Sequence, residues 1–286
     1  MNVINTLLKI NLLGEIKLFN GLIDLMKPRV MSLVIFTCAV GLLTAPNYIS
    51  VFDAIISIGF VTLGAGAAGA LNMWYEADLD KLMSRTCLRP IPTGKVKKLQ
   101  ALIFGLALSV ISIYGLYYFS NILSAFILSF TIFFYVVVYT VWLKRRTPQN
   151  IVIGGLAGST PPAIGWAAAS NNVFDLLPWL MVLTIFLWTP AHFWALTLSK
   201  RRDYGEAGVP MLSGVSGEDT TRKYILLYCI CLVLNSISII VNGNTGLIFL
   251  ISGIGLSVYF AYLAQTLTKT KSEKDAWSLF KFSNMY

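Results

Sequence analysis

Three observations predict an all-α, polytopic membrane bundle for this 286-residue chain. Hydrophobic residues make up 56% of it and charged residues 12%, with a mean hydropathy of +0.72, whereas soluble domains carry roughly 25% charged residues. Apolar stretches recur at 30–46, 51–73, 99–119, 122–143, 150–169, 176–198, 224–242 and 246–267. Each approaches the length of about 20 residues that crosses a hydrocarbon layer of about 30 Å. The Lys and Arg residues are confined to alternate connections between these stretches.

Taken in order, the first 29 residues place Leu7, Leu8, Leu12, Leu13, Ile16, Phe19, Leu22 and Ile23 at near-helical spacing, interrupted by Lys9, Glu15 and Lys17. That pattern predicts an interfacial helix. No small-residue cleavage site follows an apolar core and no arginine precedes Arg29, so neither a secretory signal nor a mitochondrial transit peptide is indicated. Eight spans follow as one domain over residues 30–270, and residues 271–286 form a tail. In the second span, Gly64, Gly66 and Gly69 fit the three-glycine dinucleotide pattern, but a stretch inside an apolar span lacks the strand and soluble βαβ unit that pattern requires. Small residues at this spacing let membrane helices approach closely instead, and Gly154, Gly155, Ala157 and Gly158 do the same in the fifth span. Pro161-Pro162 is expected to kink or break that helix. The four spans before residue 147 and the four after it share a plan, a short turn and then a long charged loop. Two related four-helix halves around a central cavity follow from this, with the two acidic loops facing each other.

The 22 basic residues occupy the N-terminal segment, Lys81 to Lys98, Lys144 to Arg146, Lys200 to Lys223, and the tail. Retention of such residues on the cytoplasmic side predicts a bacterial inner-membrane protein with both termini and both long acidic loops in the cytoplasm. Topology and anionic lipid headgroups account for the net charge of +9, so no nucleic-acid partner is implied. Cys38, Cys229 and Cys231 lie in apolar spans and Cys87 in a cytoplasmic loop, all as reduced thiols; Cys229 and Cys231, two apart, diverge on a helix and do not form a metal pair.

Headgroups do not account for the acids. Where the second span ends, the chain reads Asn72-x3-Glu76-x3-Asp80-x4-Arg85-Thr86-x2-Arg89-Pro90. Spacings of four put Asn72, Glu76 and Asp80 on one helical face, a stripe of oxygen ligands suited to Mg²⁺, which takes hard oxygens and completes its shell with water and phosphate. Asp78 points elsewhere, towards solvent. Arg85 and Arg89, also four apart, are placed to hold phosphate oxygens in forked hydrogen bonds. The competing reading is a solvated helix end whose acids and bases pair with one another. A second acidic loop, with Asp203, Glu206, Glu218 and Asp219, weighs against it.

These residues resemble the first signature of the UbiA-type intramembrane prenyltransferases, in the form carried by the members that act on protohaem IX. The likeness extends to Lys27-Pro28-Arg29, Tyr139-Thr140-x2-Leu143-Lys144-Arg145-x-Thr147-x2-Asn150, Gly155-x2-Gly158-x2-Pro161-Pro162-x2-Gly165-Trp166, and His192-Phe193-Trp194-Ala195-Leu196 leading to Asp203-Tyr204-x2-Ala207-Gly208-x-Pro210-Met211. Two departures stand out. The superfamily's second motif has two aspartates four apart, whereas Ala207 follows Asp203 at that spacing; and the tail from Leu279 to Ser283 resembles the start of a ninth membrane helix but is followed by only three residues, which predicts poorer packing on that flank.

The resemblance implies ionisation of farnesyl diphosphate, with Mg²⁺ held by Asn72, Glu76, Asp80 and Asp203, and Arg85, Arg89, Lys144 and Lys200 gathered on the diphosphate. Tyr139 is included among the ligand-binding residues. The implied acceptor is a vinyl group of haem B, the product haem O, and the partners the bilayer and, transiently, a haem A synthase or terminal oxidase. For His192, the chain's single histidine, one reading is an ordinary hydrogen bond to a neighbour and the other a contact with haem. Two rivals are a prenyltransferase acting on an aromatic acceptor such as 4-hydroxybenzoate and a secondary transporter. The segment around His192, Asp203 and Tyr204 opposes the first, and acids at one membrane surface rather than at mid-depth oppose the second.

Overall fold

The computed structural model describes residues 2–47, 49–200, 210–243 and 245–286, with side chains from Gly14 onward. Among the described residues every regular element is helical. Helix α1 (Asn2–Leu25) leads into α2 (Pro28–Thr44), α3 (Val51–Tyr75) and the single turn α4 (Ala77–Asp80). Then come α5 (Lys98–Phe119) and α6 (Ile122–Phe133), the latter running on as a π-helix over Phe134–Leu143. The second half contains α7 (Asn150–Ser159), α8 (Pro161–Ser170), α9 (Leu176–Ser199), α10 (Leu212–Val215), α11 (Glu218–Asn242), α12 (Leu247–Thr270) and α13 (Glu273–Ser283).

Six of these stretches, Val51–Tyr75, Lys98–Phe119, Ile122–Leu143, Leu176–Ser199, Glu218–Asn242 and Leu247–Thr270, are long and apolar enough to cross a bilayer. The second part of α1 together with α2 makes a seventh candidate, bent by 46° where Lys27 adopts a left-handed conformation (φ 56°) and Pro28 starts the next helix. The fifth expected span, 150–169, is divided. Thr160 keeps right-handed helical dihedrals, but Pro161 and Pro162 have no N–H to donate, so the hydrogen-bond ladder stops and restarts there. Helix α11 begins at Glu218, six residues ahead of the sequence estimate, because Glu218 and Asp219 in its first turn complement the helix dipole.

Within the first half α3 packs against α2 and α5, and within the second α11 packs against α9 and α12; α2 on α8 and α7 on the π-helix join the halves. Close approach is achieved where side chains are absent. A Cβ on Gly165 would lie 2.1 Å from the Cys38 carbonyl oxygen, and one on Gly41 would lie 2.0 Å from that of Pro162, so α2 and α8 touch backbone to backbone. The glycines of α3 have the packing role expected of them, since Cβ atoms at Gly64 and Gly66 would strike Leu128 and Met26.

Helix α13 is amphipathic and lies against α9, burying Ala276, Leu279 and Ser283. Phe282 packs edge-on against Tyr259 and Phe260, and the Tyr286 hydroxyl is 2.8 Å from Ser257 Oγ. Apolar residues on one face of a short helix thus pack against α9 and α12.

Candidate active site

Asn72, Glu76 and Asp80 do form one stripe. Although Glu76 departs from ideal helical geometry (φ −90°, ψ 10°), its N–H still bonds the Asn72 carbonyl (3.0 Å), and the Asp80 N–H bonds the Glu76 carbonyl (2.8 Å), so the four-residue register carries from α3 through α4. All three side chains are buried, Glu76 at 0% exposure and the others at 2%. Charge so deep is costly unless paired.

Two cations pair it, and a third bonds the Asn72 amide. Lys144 Nζ spans both Glu76 oxygens, donating to Oε2 at 2.6 Å and lying 2.5 Å from Oε1; Arg89 Nη1 donates to Asp80 Oδ1 at 2.7 Å; Lys27 Nζ donates to Asn72 Oδ1 at 2.8 Å. Asn72 Nδ2 in turn donates to Glu76 Oε2 (2.9 Å) and to Thr140 Oγ1 (3.2 Å). The π-helix builds the far wall. Its wide turns are capped by the Lys144 N–H on the Tyr139 carbonyl, five residues back, and Thr140 donates its hydroxyl to the Tyr135 carbonyl; Thr140 and Lys144 then share the face that meets Asn72 and Glu76. Such widened turns are rare and occur frequently at functional positions. The Tyr139 ring lies 5.8 Å from the Lys144 ammonium and occupies space that Gly154 leaves open.

Several expected residues are placed differently. Arg89 is turned onto Asp80 rather than presented as a fork beside Arg85; Arg85 is exposed and makes no ion pair with a described residue. Asp78 is not simply solvated. Arg145 grips it at 2.9 and 3.0 Å and holds its carboxyl below the usual range, in an exposed pair. Lys200 is exposed with its ammonium over the Trp277 ring (5.8 Å), engaged by the tail. His192 Nδ1 lies 2.7 Å from Ser283 Oγ, its ring stacked on Trp188 (4.3 Å) and tilted against Phe280 (4.8 Å), so the hydrogen-bonded reading describes one edge of the ring. Asp203, Tyr204, Glu206 and Ala207 lie outside the described residues. The segment that follows them is near the stripe: Asn150 Nδ2 bonds the Pro210 carbonyl at 3.1 Å, and Met211 packs with Leu79, Met83 and Ile151. Glu218 and Asp219 instead pair with Arg222 at the start of α11.

Residues Lys27 and Thr140 are members of the cluster that sequence reasoning quoted in motifs without giving them a role. The signal was available for Lys27, a cation between two apolar helices; nothing in the apolar run Phe134–Leu143 marks a π-helix. Among the described residues no group of three or more His, Cys, Asp or Glu converges as a metal site. The oxygen set nevertheless fits a hard divalent ion, since Asp80 Oδ2 is buried without a hydrogen-bond partner and the Glu76 oxygens are held only by the Lys144 ammonium and the Asn72 amide.

Comparison with known proteins agrees with this arrangement. The UbiA prenyltransferase family matches residues 33–285. A relative from Pelagibacter ubique, named Protoheme IX farnesyltransferase, is 53% identical over 290 residues, covering 99% of this chain and 95% of that protein. One of the same name from Azorhizobium caulinodans is 50% identical over 268 residues, covering 92% and 87%. Among solved structures, a digeranylgeranylglyceryl phosphate synthase superposes with a TM-score of 0.78 at 18% identity, covering 94% of each chain. A UbiA homolog from Archaeoglobus fulgidus bound to DMAPP and Mg²⁺ does so with a TM-score of 0.70 at 12% identity, covering 93% and 98%. With its fold shared by those structures and its sequence matched from residue 33 to residue 285, the chain belongs to the UbiA prenyltransferase family.

Proposed function

We propose that this chain transfers the farnesyl group of farnesyl diphosphate to a vinyl group of haem B, giving haem O and diphosphate, in a bacterial inner membrane with both acidic loops facing the cytoplasm. The observation that carries this reading is the stripe of Asn72, Glu76 and Asp80 sealed under Lys27, Lys144 and Arg89. Its chemistry suits a diphosphate and a divalent ion, and the names of relatives near 50% identity supply the isoprenoid and the acceptor.

In this reading the C1–O bond of the prenyl diphosphate breaks and the electron pair leaves with diphosphate. The vinyl π electrons form the new carbon–carbon bond, and water captures the resulting cation and loses a proton, which gives the hydroxyethylfarnesyl group. Arg85, Arg89 and Lys144, with Lys27, hold the oxygens on which charge accumulates, and they stabilise departure more than the bound ground state. Mg²⁺, held by Asn72, Glu76, Asp80 and Asp203, would supply further positive charge to those oxygens. Tyr139 lines the approach beside Lys144, and apolar walls from the helices exclude water from the allylic cation. Lys200, over Trp277, is the weakest member of the diphosphate set. His192 is the candidate for haem contact through Nε2, as Nδ1 faces Ser283. Residues 30–270 are the catalytic domain, residues 1–29 an interfacial segment, and residues 271–286 a tail packed on it; the product passes by transient contact to a haem A synthase or terminal oxidase.

The test is incubation of purified protein with farnesyl diphosphate, haem B and Mg²⁺, followed by mass spectrometry. Haem O is the expected product. Prenylated 4-hydroxybenzoate in a parallel incubation, with no haem O, would favour the aromatic-acceptor rival. Absence of any prenylated product in metal-replete membranes would return the transporter reading to consideration.

A further inference from the structure

Each carboxylate of the stripe is matched by one basic group, Lys144 lying against both Glu76 oxygens and Arg89 against Asp80 Oδ1, which leaves Asp80 Oδ2 buried without a hydrogen bond. Glu76 has no exposed surface, and the side chain of Asp80 is 3% exposed, so neither can be neutralised by solvent. A buried acid that must later coordinate a divalent ion needs a counter-charge while the ion is away. The same basic groups are of the type that receives a diphosphate.

We propose that Lys144 and Arg89 are exchangeable counter-cations: they neutralise Glu76 and Asp80 in the empty site and pass to the phosphate oxygens when metal and diphosphate arrive together. The idea rests on the function proposed above. The two ion pairs occupy the carboxylates that the metal needs, so metal alone must compete with a tethered ammonium and a tethered guanidinium and binds weakly. A diphosphate offers those cations a new partner and removes the competition, which couples the two ligands without a conformational change in the helices. Asn72 keeps the geometry during the exchange, since Nδ2 holds Glu76 Oε2 and Lys27 holds Oδ1. The arrangement also prevents metal from residing in a site with no substrate.

Titration of the purified, metal-stripped protein with Mn²⁺ alone, followed by electron paramagnetic resonance, tests this without any turnover. Lys144→Gln is expected to bind Mn²⁺ at least about tenfold more tightly than wild type, and Lys144→Arg, which restores the counter-charge, to return to wild-type weakness. The same two variants then separate in retention of radiolabelled farnesyl diphosphate at saturating Mn²⁺, weakened in Lys144→Gln and kept in Lys144→Arg. Should Lys144→Gln fail to insert, Arg89→Gln answers by the same criterion, because the Arg89 side chain is already 23% exposed. Equal or weaker Mn²⁺ binding in the inserted variant overturns the exchange. Glu76→Gln distinguishes this from failure of the underlying reading. Lost Mn²⁺ binding in Glu76→Gln with no gain in Lys144→Gln rejects only the exchange, while unchanged binding in Glu76→Gln removes the metal site and the exchange with it.

Discussion

The acidic ends of the two halves solve the same electrostatic problem in opposite ways. In the first half, Glu76 and Asp80 are buried and matched by cations outside their own helix, Lys144 from 68 residues away and Arg89 from the loop 9 residues on. In the second, Glu218 and Asp219 pair with Arg222 one turn along the same helix, and Asp219 also meets Lys271; Asp219 is 61% exposed. The two Arg222 pairs are made within one helix end and need no other element, and although Arg222 itself is buried, water screens the exposed side of Asp219. Pairs assembled from α3, the π-helix and the loop after α4 need the whole fold, and they hold charge where its removal or exchange has large consequences. Elsewhere in the second half, α13 lies across Trp188 and His192 through a hydrogen bond from Trp188 to the Ser283 carbonyl and a ring contact between His192 and Phe280.

That contrast can be broken in graded ways. The largest effect is expected from Glu76→Gln or Asp80→Asn, which should reduce haem O formation on the order of 10²–10³-fold while the protein still inserts, measured by mass spectrometry of the product. Full activity of either variant, above all in chelator-treated membranes, would reduce the buried cluster to a structural feature. Next comes Gly165→Val at the backbone contact between α2 and α8. Forcing the helices apart should cost about 1–3 kcal/mol and lower the thermal midpoint in detergent, with turnover falling only as folded protein is lost.

His192→Ala is expected to cost about 0.5–1.5 kcal/mol through its hydrogen bond to Ser283, and to loosen α13, read as faster proteolysis of the tail. The haem absorption spectrum in the same variant sharpens the comparison: an altered spectrum supports contact through Nε2, and an unaltered one with unaltered turnover leaves His192 a packing residue. The smallest effect belongs to Asp219→Asn, for which midpoint and turnover should match wild type. A clear loss of activity there would mean the second half's surface acids take part in the chemistry.

Apolar length and the confinement of lysine and arginine to alternate loops were enough to read an all-helical membrane bundle, since a bilayer admits only helices and closed barrels and continuous apolar runs of about 20 residues fit helices. The four-residue spacing likewise aligned Asn72, Glu76 and Asp80, because helical register is a local property that survives the irregular step at Glu76. Spacing was silent on partners. That Arg89 turns back to Asp80, that Lys27 crosses from the α1–α2 bend to Asn72, and that Lys144 reaches Glu76 through a π-helical wall depend on contacts between remote segments. The tail shows the same division. Its apolar pattern was visible as the opening of another helix, yet only packing against α9 and α12 made those residues a lid on the second half, because an amphipathic face does not name the surface that will bury it.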